Sequence, residues 1–221
     1  MKSSPRIRSG YRAYFAWFQL IVVYGLIECA LWSRHLALRN RWALAGAIAI
    51  VVFVSLDAAF SDESALRRLG LGLPTTFGAS VVLAVSLAAA LFLIFMVRWA
   101  GGDVPTNEVW PNVSQNWAYV IWALIQEFIL QSFFFTRCED LFGGDGAVWI
   151  AATLFAAAHL PSPLLTTFTF IATLFFCSTF RRYRSIYPIA LVHAMLGLTV
   201  AMTMPDSLLH HMRVGIGYLK Y

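Results

Sequence analysis

Long apolar runs broken by short polar clusters set the pattern of this chain. A helix needs about 20 apolar residues to cross about 30 Å of hydrocarbon. That measure predicts helices over 14–32, 42–60, 77–97, 113–136, 147–160, 164–180 and 187–204, with the polar residues in the connections. Two of these elements are abnormal. The 147–160 helix would be only about 21 Å long at 1.5 Å per residue. It ends at Leu160-Pro161-Ser162-Pro163, which cannot continue a helix. The next segment is also short, and no charged connection precedes it. The pattern therefore predicts an all-α transmembrane bundle of about seven spans that includes a short, re-entrant helix pair. Irregular backbone at membrane depth survives only inside protein or beside a wet cavity, so the Pro-Ser-Pro break points to a site.

Composition strengthens this picture. Of 221 residues, 60% are hydrophobic and 12% charged, and the mean hydropathy is +0.71. A soluble fold of this length could not cover itself with so little polar surface. The net charge of +5 is read as loop arginine and lysine facing anionic lipid, not as a nucleic-acid footprint. The apolar run from Tyr14 is too long for a cleavable signal segment of ~7–15 residues and is taken as a first span. Counted over seven spans, ten Lys and Arg fall on the N-terminal side and six on the other, which favours a cytoplasmic N-terminus. Residues 1–221 are read as a single integral membrane domain. Cys29, Cys138 and Cys177 stand singly, without disulfide or zinc spacing. Trp32, Trp42, Trp99, Trp110 and Tyr187 sit at span ends as interface anchors.

Ionisable groups inside spans mark function by default. Glu28 and Asp57 lie near span ends, where they reach the interface or pair with a loop arginine. His35, His210 and His211 fall in loops or the tail and read as solvated. Glu127 is different, being well inside its helix. Gln131 lies on the same face four residues on, and Gln126 is angularly adjacent. His159 nearly ends the short helix, one turn after Phe155, and His193 sits in an apolar run. Three helices thus each bring one such group to similar depth. A carboxylate with two imidazoles is a working set for hydrolysis. The same three residues, Glu127, His159 and His193, also match the ligands of some catalytic zinc sites, although no HExxH helix is present.

The stretches Gln126-Glu127-Phe128-Ile129-Leu130-Gln131, Phe155-Ala156-Ala157-Ala158-His159 and His193-Ala194-Met195-Leu196-Gly197 resemble three motifs of the CPBP family. These intramembrane proteases are related to the CAAX prenyl endopeptidases and are also called the Abi family. Their pattern is Glu-Glu-x-x-x-Arg, Phe-x-x-x-His and His-x-x-x-Asn. Leu69-Gly70-Leu71-Gly72-Leu73-Pro74 is also similar to a family segment. The resemblance covers about 113–204 and implies an intramembrane endopeptidase acting on a membrane-associated protein or peptide, with no cofactor. It implies that His159 helps to activate water and that His193 helps to stabilise the oxyanion. Gln126 stands where the family has its first glutamate, Gln131 replaces the arginine, and Gly197 replaces the asparagine. Losing one glutamate and the arginine together leaves the net charge of the site unaltered. An ion pair in low dielectric is costly to break from one side only. Glu127 then remains as the sole carboxylate and the expected base, with Gln126 or Gln131 as a substitute second donor. The alternative is a catalytically inactive scaffold or peptide-binding, immunity-type protein on the same fold.

Overall fold

The computed structural model describes residues 5–33, 37–61, 63–102 and 113–220. His35 and Trp110 lie outside them. Among the described residues the chain is all-helical, with a single isolated bridge between Leu71 and Ser185 and no strand. In order come α1 (Pro5–Trp32), α2 (Ala37–Ser61), the short α3 (Glu63–Arg68), α4 (Thr76–Trp99) and α5 (Val113–Glu127). A π-helical segment (Phe128–Phe135) leads into α6 (Thr136–Ala157), followed by α7 (Pro163–Tyr183) and α8 (Tyr187–Thr203). The tail holds α9 (Asp206–Leu209), a 3₁₀ turn (His210–Met212) and α10 (Ile216–Leu219).

Among the described residues, four segments are long and apolar enough to cross a membrane: Ala13–Trp32, Thr76–Trp99, Trp117–Ala157 and Pro163–Tyr183. Trp42–Asp57 and Tyr187–Thr203 are shorter apolar helices. Of the about seven expected spans, 42–60 and 187–204 correspond to these shorter helices, and 113–136 and 147–160 follow one another across a kink. The polar stretch 137–145, expected as a connection, is helical on both sides of a kink at Gly143, where two helices meet without a loop. Only Gly143 interrupts the helix, at φ 75° and ψ 171°, a conformation essentially confined to glycine.

Polar residues of this junction are held by charge pairs at one end of the bundle. Arg184 Nη2 donates to Glu139 Oε1 at 2.6 Å, while Arg68 pairs with Asp140 and Arg181 with Asp145. The Leu69–Pro74 segment docks at the same end. Ser132 Oγ donates to the Leu69 carbonyl at 2.5 Å, and the Ile186 amide donates to the Gly70 carbonyl at 3.0 Å. These bonds tie the loop before α4 to the π segment and to the α7–α8 turn. Between the helices lies a core in which Phe133, Phe135, Phe176, Phe180 and Ile189 are fully enclosed. α6 packs along α7, and α8 packs along both α4 and α5.

At the other end of α6, the chain turns through 158–162. Pro163 begins α7, where its missing N–H is not needed. Ser162 caps that helix by accepting from the Leu165 amide at 3.4 Å. The Pro-Ser-Pro break is therefore a built turn between two packed helices.

Candidate active site

α5 ends with Gln126 and Glu127, and the π segment starts at the next residue. Short π stretches inside α-helices occur frequently at functional sites. Glu127 is completely buried, at 0% exposure. Its Oε1 accepts from His193 Nδ1 at 2.7 Å, and its Oε2 accepts from Gln131 Nε2 at 3.1 Å. Both carboxylate oxygens are thus engaged. The amide in the expected arginine position holds Glu127, not Gln126. Gln131 Oε1 is itself buried without a hydrogen-bond partner among the described residues.

His159 sits in the turn after α6, where its own amide donates to the Ala156 carbonyl at 2.9 Å. Its Nδ1 lies 2.7 Å from the Phe155 carbonyl oxygen. Because a carbonyl only accepts, Nδ1 carries the proton and the neutral ring keeps its lone pair on Nε2. This turn lies outside the spanning helices. Burial pushes the His159 pKa down to about 4; the Phe155 carbonyl opposes that shift and the nearby His193 adds to it. The ring of Phe155 lies 4.8 Å from His159 and 5.9 Å from His193, centroid to centroid. Phe176 stacks on His193 at 5.7 Å. The imidazoles are therefore set by aromatic neighbours as well as by hydrogen bonds.

Gln126, His159, His193, Phe155 and Gly197 all face one largely apolar cavity of about 430 Å³. Glu127 and Gln131 stand behind its wall, so Glu127 touches the cavity only through His193. The tail adds Met212 and Val214 to the cavity wall. It is pinned there by the Gly215 amide, which donates to the Leu160 carbonyl at 2.7 Å.

One wall residue, Tyr119, was missed in the sequence. Its signal was legible, because it lies two helical turns before Gln126 and hence on the same face of α5. The remaining ionisable groups stand elsewhere. Glu28 accepts from Trp32 Nε1 at 3.0 Å, and Asp57 is exposed. His211 pairs with Asp206 at 2.7 Å, and His210 stacks on Tyr218. Cys138 and Cys177 are buried free thiols, and Cys29 is free and exposed.

As a zinc site, Glu127, His159 and His193 fit poorly. Among the described residues no group of three His, Cys, Asp or Glu is arranged to hold a metal ion. The oxygens of Glu127 are already bonded to His193 and Gln131.

Residues 108–199 match the family model described as type II CAAX prenyl endopeptidase Rce1-like. The matched stretch carries all three motifs and every wall residue just described except the tail. No curated protein and no solved structure matches the chain. The resemblance drawn from the motifs is borne out. With four apolar segments of spanning length among the described residues, the chain is an integral membrane protein that carries a CAAX-protease-like segment.

Proposed function

We propose that this protein is an intramembrane endopeptidase that hydrolyses a peptide bond in a membrane-associated protein or peptide, with His159 as base and a Glu127–His193 pair as electrostatic support. The single observation that carries this reading is the common cavity: two imidazoles face it, one with a free Nε2 and the other backed by a buried carboxylate. Its apolar wall suits a substrate presented from lipid. The family description adds the prenylated CAAX class as the substrate to test.

In the reaction, the water oxygen bonds to the carbonyl carbon while His159 Nε2 takes the water proton. The carbonyl π pair moves onto oxygen. A protonated His193 donates from Nε2 to that oxyanion, while its Nδ1–H goes on donating to Glu127. Collapse of the tetrahedral intermediate breaks the C–N bond, and His159 returns the proton to the leaving amine. One such oxyanion donor is worth about 2.7–4 kcal/mol in other enzymes. In this scheme Glu127 does not meet the water. It holds the His193 charge and ring orientation, as buried carboxylates do behind catalytic histidines. Gln126 does not titrate and serves to orient the water or the substrate amide.

The competing reading is a binder that keeps the fold. It is favoured by one observation, the neutral amide of Gln126 on the cavity wall where the family pattern has a glutamate. Reconstituted in liposomes, the full chain is expected to release the C-terminal tripeptide from a farnesylated peptide. His159→Ala and His193→Ala are each expected to lower that rate at least about 100-fold. Unchanged release by both variants contradicts the peptidase reading. Binding without release by the wild type establishes the binder.

A further inference from the structure

The resemblance leaves one position unexplained, because Gly197 has no side chain with which to replace the family's asparagine. Glycine in a helix interior is disfavoured relative to alanine, yet Gly197 lies within α8. A Cβ built on Gly197 would stand 1.9 Å from Tyr119 Oη and 2.8 Å from Tyr119 Cζ. The phenol hydroxyl therefore rests against the α8 backbone where a side chain at 197 would begin. His193 is one helical turn earlier on the same face, and Tyr119, His193 and Gly197 border the same cavity.

We propose that Tyr119 is a catalytic residue that donates its hydroxyl hydrogen bond to the oxyanion beside His193, filling from α5 the place that α8 leaves empty at Gly197. Glycine at 197 is then the partner of this arrangement, since any larger residue pushes the phenol away. A tyrosine hydroxyl aimed at developing negative charge in a water-poor cavity is a recognised form of oxyanion stabilisation. No proton changes hands, because the phenol stays protonated and its bond strengthens as the carbonyl oxygen gains charge. This role rests on the peptidase reading above.

The test compares two probes on the purified full chain in detergent. One is a farnesyl-cysteine phosphinate peptide, whose tetrahedral anion mimics the intermediate; the other is the matching amide peptide. Wild type is expected to bind the phosphinate more tightly. Tyr119→Phe is expected to lose about 100-fold in phosphinate affinity with amide affinity unchanged, and Gly197→Ala to lose preference in the same direction. Retention of the wild-type preference by either variant overturns the proposal, as does equal weakening of both probes by Tyr119→Phe. Loss of the preference in His193→Ala, but not in Tyr119→Phe, removes Tyr119 alone. No preference in the wild type removes the peptidase reading itself, and this role with it.

Discussion

α4 and the 117–157 run are both apolar enough to span a membrane, yet they do opposite jobs. Only 17% of the most apolar window of α4 is buried in the protein, against 50% for Trp117–Ala157. α4 shows lipid its Leu87, Leu91, Phe92 and Phe95 and buries little beyond Gly78, Val82, Ser86 and Ala90. The 117–157 run keeps Glu127, Gln131, Ser132 and Thr136 inside, bonded to one another or to backbone. Lipid offers polar groups no partners, so a spanning helix that carries them must turn them inward. The less apolar of two spans is therefore the one in which to look for chemistry.

Breaking the polar interior is expected to give the largest effect. Glu127→Ala leaves His193 and Gln131 without their shared acceptor, and removing one member of a buried pair costs about 3–5 kcal/mol, measured by unfolding in detergent. A loss below about 1 kcal/mol would make the carboxylate incidental to the fold. Gly143→Ala tests the kink inside the 117–157 run. No atom lies within 4 Å of the added methyl, so the expected cost of about 1–3 kcal/mol comes from backbone strain alone. Ser86→Ala in α4 sharpens the contrast from the other side. Its buried hydroxyl has no hydrogen-bond partner among the described residues, so the change is expected to be neutral or to stabilise by about 1 kcal/mol.

Mild acid is expected to do least. With its pKa pushed down to about 4, His159 is neutral across the physiological range and gains its proton only as pH falls through that value. Its contribution to kcat should stay constant from pH 8 to pH 5 and decline below. A decline of kcat through pH 6.5 that vanishes in His159→Gln would contradict the burial of this ring.

Much of this was legible in the residues. Apolar runs located α1, α2, α4, α7 and α8 because a span is long and its signal adds up over many positions. The Gln126–Glu127, Phe155–His159 and His193–Gly197 spacings identified the elements that meet at the cavity. What the sequence concealed was local. Residues 137–145 carry charges, as a loop would, but Arg68, Arg181 and Arg184 neutralise Asp140, Asp145 and Glu139 from other elements. Helix then continues there until Gly143. Glu127 was expected to face water because it is an acid in a site; its distance from the cavity depends on a His193 contact 66 residues away. The spacing to Gln126 puts Tyr119 on the site face of α5, but its close approach to Gly197 is visible only in the fold.

The central claim is that Glu127 acts through His193, and a kinetic double-mutant cycle tests it most directly. kcat is measured for Glu127→Gln, His193→Ala and the double variant on one farnesylated peptide, using protein shown to be folded. The account predicts that Glu127→Gln slows the wild type by at least about 10-fold yet leaves His193→Ala unchanged, since residues acting as a unit are not additive. If the two losses multiply in the double variant, the carboxylate meets the reaction by itself and the account is wrong.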